Sequence, residues 1–212
     1  MEDTPILILL AGGKSSRMGT PKGLLDYHGK PWILEQISRF KDVNSPKVYI
    51  GLGYNYELYF VSIPWFKKAI NKTHNYNGVE VRVIINHQPQ FGAFSTLQTV
   101  LRNIEKEVTA IVQPIDVPLF NKDSLRSFID INKPIVIPVC QDKKGHPVKL
   151  KPKFWRTLLS IDRSLNNARL DIQIKEYNTS SIAYHKVTDK SVYQNINTLN
   201  KWNNYVKDTF KL

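Results

Sequence analysis

The sequence is poor in the residues that build covalent cross-links and all-protein metal cages. It has one cysteine in 212 residues, Cys140, which excludes an intrachain disulfide and a cysteine-based zinc knuckle. Among His28, His74, His87, His146 and His185 there is no HxxxH or HExxH pair, so the helical zinc-hydrolase pattern is absent too. No apolar run approaches the roughly 20 residues of a membrane span. The longest, Pro5 to Ala11, follows Glu2 and Asp3, where a secretory signal needs positive charge. A reduced, cytoplasmic protein is expected. Negative charge is scarce as well: 18 Asp and Glu face 30 Lys and Arg, for a formal charge of +12. That excess points to anionic partners, whether nucleic acid, acidic lipid or a small phosphorylated substrate.

What is present suffices for a sizeable core, with 42% hydrophobic and 11% aromatic residues. The length suggests one domain over residues 1–212. Ile6 to Ala11 is a continuous apolar run between Pro5 and Gly12, the pattern of a strand buried on both faces. Further strands are expected over Lys47–Leu52, Val79–Ile85, Thr109–Val112, Pro134–Cys140 and Ser181–Val187. Helical stripes fall between them, over Pro31–Phe40, Ser95–Ile104 with Ser95 as its cap, Ser124–Ile131, Lys153–Ser160 and Thr198–Lys207. Asn71 to Gly78 reads as a polar loop. Strands alternating with helices imply an α/β fold with a doubly wound, mostly parallel, Rossmann-like sheet.

The first strand runs straight into Gly12-Gly13-Lys14-Ser15-Ser16-Arg17-Met18-Gly19. In an open α/β sheet, ligands sit beyond the carboxyl ends of the strands. Paired glycines let the backbone approach a ligand and turn its N–H groups inward, while Lys14, Arg17 and Lys22 add long cationic arms. A polyphosphate needs that combination. It is neither of two familiar phosphate loops. A Walker A loop would need glycine where Ile8 stands, and the dinucleotide fingerprint would need it where Lys14 stands.

The string Leu10-Ala-Gly-Gly-x-Ser-x-Arg-Met-Gly-x-x-Lys22 resembles the signature loop of the MobA-like nucleotidyltransferases. These include the molybdenum-cofactor guanylyl- and cytidylyltransferases and, more distantly, sugar-phosphate enzymes. The resemblance implies a nucleotide-diphospho-sugar transferase type of fold. It implies that Leu10, Ala11, Gly12, Gly13, Ser15 and Ser16 hold the nucleotide, and that Arg17 and Lys22 bind and polarise the phosphates as catalytic groups. Gln88-Pro-Gln-Phe-Gly92-Ala-Phe-Ser95 is similar to the family's second nucleotide loop, which adds Gln88, Gly92 and Ser95; on its own it is equally an ordinary strand-to-helix turn.

Asp116, in Pro114-Ile-Asp-Val-Pro118, matches the family's D-x-P motif, whose aspartate binds Mg²⁺. Without the resemblance it is an aspartate that starts a turn. Asn195-Ile-Asn197-Thr198 resembles the closing motif and makes Asn197 the other metal ligand. Here Leu199 replaces the family's proline, and Thr198 is alternatively a helix cap. Gly145-His-Pro-Val148 and Asn167-Ala-Arg-Leu170 are similar to acceptor elements of the cytidylyl branch, which implies acceptor roles for His146 and Arg169. His146 is alternatively the tip of a hairpin.

The implied activity is Mg²⁺-dependent transfer of a nucleoside monophosphate from GTP or CTP to a phosphorylated acceptor such as molybdopterin, with release of pyrophosphate. A sugar 1-phosphate is the alternative acceptor, and a protein that receives the product is a candidate partner. Base and oligomeric state stay open. Two other readings remain: a nucleotide-binding protein without turnover, and a nucleic-acid-binding module. The second would stack bases on Tyr54, Tyr56, Tyr59, Phe60, Trp65 and Phe66 beside Lys67 and Lys68. The charge itself is clustered. Residues 133–156 hold seven cationic side chains against Asp142 alone, half of the net charge, and this stretch is expected to steer anions into the crevice.

Overall fold

The six apolar residues of β1 (Ile6–Ala11) leave no face for water, and the fold covers both. Leu7, Leu9 and Ala11 enter one core cluster, whereas Ile6 and Ile8 enter another on the opposite side of the sheet. The structure, a computed structural model, describes residues 4–70, 72–104 and 107–209. Glu2, Asp3 and Asn71, on which parts of the sequence reading rest, lie outside the described residues.

After β1 come a small hairpin of β2 (Asp26–Tyr27) and β3 (Lys30–Pro31), then α1 (Trp32–Ser38), β4 (Lys47–Leu52) and α2 (Tyr56–Ser62). Next follow β5 (His74–Tyr76), β6 (Val79–Ile85), α3 (Gly92–Arg102), β7 (Ala110–Pro114) and α4 (Lys122–Ile129). The chain continues through β8 (Ile135–Cys140), β9 (Lys143–Lys144), β10 (Val148–Leu150), α5 (Pro152–Trp155), α6 (Leu170–Glu176), β11 (Ile182–Lys186) and α7 (Leu199–Thr209). The main sheet is ordered β11-β8-β10-β7-β1-β4-β6-β5, with β9 paired to β8. Pairs β7–β1, β1–β4, β4–β6 and β8–β11 are parallel; β5, β9 and β10 run antiparallel to their neighbours. The fold is α/β with a mostly parallel sheet, as expected. Among the described residues no helix is long and apolar enough to cross a membrane.

The chain lays down β4 and β6 on one side of β1, then returns to place β7 on the other. The crevice at the carboxyl ends of β1 and β7 is therefore the point where strand order reverses, the usual ligand position in such sheets. Helices α1, α2, α4 and α7 cover one face through Trp32, Tyr59, Phe128 and Trp202, and α3, α5 and α6 cover the other through Leu97, Phe154 and Ile174.

Several expectations need correction. The stretch read as a polar loop holds β5 and a turn at Asn77 and Gly78, whose positive φ angles suit a tight hairpin. Helix α3 begins at Gly92, so Ser95 lies within its first turn and is not its cap; the turn of 3-10 helix at Pro89–Phe91 starts the coil earlier. Helix α4 starts at Lys122, before the expected Ser124, and Asn121 caps it by accepting from the Ser124 amide at 2.9 Å. The helix expected over Lys153–Ser160 divides into α5 and a turn of 3-10 helix at Thr157–Ser160.

The aromatic neighbourhood around Trp65 is not a stacking platform. Tyr59, Phe60 and Phe66 are core residues, and Trp65 stacks between His74 and Tyr76 at centroid distances of 4.5 and 5.3 Å. The basic stretch also disperses. Lys149 is buried, donating to the Ile129 carbonyl at 2.6 Å and to that of Ile131, which closes the end of α4. Arg156 pairs with Glu107, and Lys151 bonds Asn132. Of the seven cations only Lys144 lines either cavity described below.

Candidate active site

The loop after β1 curls back on itself. The Met18 amide donates to the Ser15 carbonyl at 2.9 Å, the Lys22 amide donates to the Ser15 hydroxyl at 3.2 Å, and Met18 is buried beneath. Ser15 holds φ at +52° and Gly19 at +68° to make this possible. The two adjacent glycines do different things. A Cβ on Gly12 would meet the Thr96 hydroxyl at 2.8 Å, so Gly12 is where the loop presses against α3. A Cβ on Gly13 would meet nothing within 4 Å. The Gly12 carbonyl also accepts from Tyr54 at 3.1 Å, tying the loop to the end of β4.

These residues line a cavity of about 430 Å³ together with Arg17, Lys22, Gly92, Asp116 and Asn197. Leu10, Ala11, Gly12, Gly13, Ser15 and Ser16 are all on its wall. At its end Lys22 Nζ donates to Asp116 Oδ2 at 2.9 Å and also to Asn197 Oδ1. Residues 94 and 175 positions away from Lys22 therefore converge on one point. Lys14 lies 4.9 Å over the Tyr54 ring.

Asp116 is held by residues that carry no motif. Trp32 donates its indole N–H to the Ile115 carbonyl at 2.8 Å. Gln36, fully buried, donates to the Val117 carbonyl at 2.9 Å and accepts from the Leu119 amide at 3.0 Å. Arg39 reaches the Leu119 carbonyl at 3.2 Å, and Gln113 also bonds Val117. From the closing segment, the Ile196 amide donates to the Asp116 carbonyl at 2.8 Å, which places Asn197 beside it. The signal in the sequence was a polar residue, Gln36, on the apolar stripe of α1.

The second loop is built from its own bonds. Ser95 is buried; its hydroxyl accepts from Asn86 at 2.8 Å and faces the Gln88 and Gly92 carbonyls. The Gln88 side chain accepts from Arg163 at 2.9 Å. Neither Ser95 nor Gln88 lines this cavity or the second one described next, whereas Gly92, at φ +79°, borders both.

A second cavity, about 820 Å³, opens on the far side of Leu10, Gly92, Ala93 and Pro114, which both share. His146 and Arg169 are on its wall. The Gly145-His146 pair is no hairpin tip: the turn falls at Gln141 and Asp142, and Gly145 packs so tightly on Val192 that a Cβ would overlap its carbonyl. Burial holds the His146 imidazole below its ordinary pKa, opposed by Asp116 and by a bond to the Val112 backbone. Its Nδ1 is buried without a partner. Arg169 pairs with Asp171 at 3.1 Å in the open rim. Thr198 acts as a cap, accepting from the Lys201 amide at 3.3 Å.

The sequence model of the MobA-like NTP transferase domain matches residues 7–176 of this chain. The chain belongs to the MobA-like NTP transferase family. Among its curated relatives, the molybdenum cofactor guanylyltransferase of Xanthomonas euvesicatoria pv. vesicatoria is 27% identical over 114 residues, 54% of this chain and 48% of that protein. A probable molybdenum cofactor guanylyltransferase of Rhodopirellula baltica is 26% identical over 152 residues, 70% and 65% of the two chains. The chain thus spans from about half to just under two thirds of these relatives' lengths. Among solved structures, the homologue of a Mycobacterium tuberculosis protein from Mycobacterium sp. strain JC1 superposes with a TM-score of 0.72 at 15% identity, covering 100% of this chain and 99% of that one. That likeness concerns the fold. In the MobA-like loop, Leu10 to Met18 line the smaller cavity without a break, and Lys22 joins them.

Proposed function

We propose that this chain is a nucleotidyltransferase, folded as one domain, that moves a nucleoside monophosphate from GTP or CTP to a phosphorylated acceptor. The observation that carries this reading is the meeting of Lys22, Asp116 and Asn197 at the end of the glycine loop, next to a second cavity. The acceptor's phosphate oxygen would attack the α-phosphorus in line with departing pyrophosphate. A phosphate monoester is already ionised at neutral pH, so the reaction asks for positioning and charge neutralisation rather than a protein nucleophile. In this reading the loop backbone holds the nucleotide, Arg17 takes the outer phosphates, and Lys22 offsets charge at the α-phosphate. His146 and Arg169 face the acceptor.

The residues fit a Mg²⁺ ion. Asp116 Oδ2 and Asn197 Oδ1 already share one cation, the Lys22 ammonium, and both are hard oxygen donors. Among the described residues no cluster of three His, Cys, Asp or Glu forms a closed cage. A site with few protein ligands, completed by phosphates, is how this ion is usually held. Bound there, Mg²⁺ would neutralise phosphate charge and orient the groups.

The names of the two curated relatives support GTP and the molybdenum cofactor as substrates; a sugar 1-phosphate is the other acceptor considered. Pyrophosphate release should be measured with GTP, CTP, UTP and ATP against a panel of phosphorylated acceptors. Release that needs both a particular nucleotide and an acceptor supports the proposal. Nucleotide-induced thermal stabilisation with no release from any pair would reduce the protein to a nucleotide binder.

A further inference from the structure

Asp116 and Asn197 reach the end of the glycine loop on separate pieces of chain, and one indole touches the support of each. Trp32, 1% exposed on α1, donates its N–H to the Ile115 carbonyl at 2.8 Å, next to Asp116. The same ring meets Trp202 of α7 at a centroid distance of 5.3 Å and an interplanar angle of 73°. It meets Tyr205, also on α7, at 5.5 Å and 75°. Aromatic pairs favour such edge-to-face arrangements. Tyr27 touches both α7 rings, each at 6.2 Å. Arg39, which holds the Leu119 carbonyl beyond the Asp116 turn, lies 5.0 Å over Trp32 and hydrogen-bonds Tyr205.

The chain around Asn197 is pinned on both sides. Before it, the Ile196 amide donates to the Asp116 carbonyl at 2.8 Å. After it, the Trp202 amide donates to the Thr198 carbonyl at 3.0 Å and closes the first turn of α7. Leu199 opens this helix and is 49% exposed. The fixed φ that proline gives a first helical position is therefore absent. Trp202, at 5% exposed, is the buried residue of α7. One turn of helix is stiff, so the seat of Trp202 sets the direction of the chain at Asn197.

We propose that Trp202 is a positioning residue: packed on Trp32, it holds α7 so that Asn197 Oδ1 stays beside Asp116 Oδ2, where the two receive the divalent cation. This deepens the nucleotidyl-transfer reading and rests on its metal pair. Trp32 then serves both ligands at once, the first through the Ile115 carbonyl and the second through Trp202.

The test titrates Mn²⁺ into the full chain with the α,β-methylene analogues of GTP and CTP, which occupy the nucleotide site without reacting. Free Mn²⁺ is read by electron paramagnetic resonance, and binding to the analogue alone is subtracted. Trp202→Leu should weaken Mn²⁺ binding at least about tenfold, the usual cost of removing a group that orients a metal ligand. Trp202→Phe should restore most of it, because a phenyl ring keeps the aromatic contact. Analogue binding in EDTA should not change in either variant, since no residue of α7 lines either cavity. Trp155→Leu is the matched control. Trp155 is 4% exposed in the core cluster on the other face of the sheet, so its loss should lower stability and leave Mn²⁺ affinity unchanged. Tyr205→Leu removes a half-buried ring from the same contact. It should weaken Mn²⁺ binding about threefold, and it decides the matter if Trp202→Leu does not fold.

Unchanged Mn²⁺ affinity in folded Trp202→Leu overturns the proposal, as does unchanged affinity in Tyr205→Leu where the first variant does not fold. Equal weakening in Trp155→Leu also overturns it, because metal loss would then follow stability alone. If the wild type binds Mn²⁺ with an analogue and the variants match it, only the positioning role fails. If the wild type binds neither analogue nor Mn²⁺, the nucleotidyl-transfer reading falls and this proposal falls with it.

Discussion

The two cavities share a wall and are built by opposite means. The smaller is made largely from one continuous stretch, Leu10 to Lys22, through its backbone and three cations. The larger gathers side chains from elements spread between Leu10 and Asn195, several of them only two to seven residues long. A site made of consecutive backbone imposes a fixed string of small and charged residues on the sequence. A site made of scattered side chains asks only for apolar residues that any core would supply. The difference teaches which of two adjoining cavities can be read from the sequence.

The contrast breaks most sharply if the convergence point is dispensable. Lys22→Ala or Asp116→Ala should lower turnover by at least about 10²- to 10³-fold, the usual cost of removing one preorganised charge stabiliser. Far-UV circular dichroism should not change, because both side chains line the cavity and belong to neither core cluster. Turnover within tenfold of wild type in either variant would detach the chemistry from this point.

Gln36→Leu probes the support beneath. It leaves the Leu119 amide unpaired and the Val117 carbonyl with Gln113 as its remaining side-chain donor, at about 1–3 kcal/mol in urea unfolding. Displacing Asp116 by even an ångström should lower kcat by up to about 10²-fold, with the nucleotide KM nearly constant. A loss of stability without a fall in kcat would mean that the clamp is structural only.

The adjacent glycines offer a finer cut. Gly12→Ala forces a methyl onto the Thr96 hydroxyl and should raise the nucleotide KM about tenfold, in keeping with the usual cost of overpacking. Gly13→Ala meets no protein atom within 4 Å and should leave the melting temperature of the nucleotide-free protein unchanged, whereas Gly12→Ala lowers it. Equal effects would show that the two positions are not distinguished by packing.

The smallest effect on catalysis is expected at Lys149, buried away from both cavities. Burial, aided by Lys151, pushes its ammonium down to about 8 from the ordinary 10.5. Between those values the unfolded chain binds the extra proton, so this residue's contribution to stability rises with pH from about 8 to 10.5. The stability of wild type relative to Lys149→Met should climb through that window, with turnover at pH 7 unchanged. A flat difference curve would contradict the buried assignment.

Much of this architecture was legible in the residues. The two-faced apolar run of β1 and the alternation that follows require a parallel sheet, and the glycine-lysine-arginine string falls on the wall of the smaller cavity at the end of β1. Asp116 was legible because prolines flank it at the end of a buried strand. The clamp of Trp32 and Gln36 was hidden, since an indole and an amide on a helical stripe declare neither partner nor purpose. Strands β5, β9 and β10 were missed because two or three residues cannot establish a period of two. The basic stretch misled, because net charge ignores direction: Lys149 points into the core and Arg156 toward Glu107.

The chemistry at the shared wall is tested most directly by phosphorus-31 NMR of the products formed from a nucleoside triphosphate, Mg²⁺ and an accepted phosphate monoester. Attack at the α-phosphorus gives free pyrophosphate together with a new pyrophosphate diester that carries the nucleoside, and both signals should disappear in Asp116→Ala. Orthophosphate with a nucleoside diphosphate, or an unchanged spectrum for every nucleotide and acceptor, would contradict nucleotidyl transfer at this site.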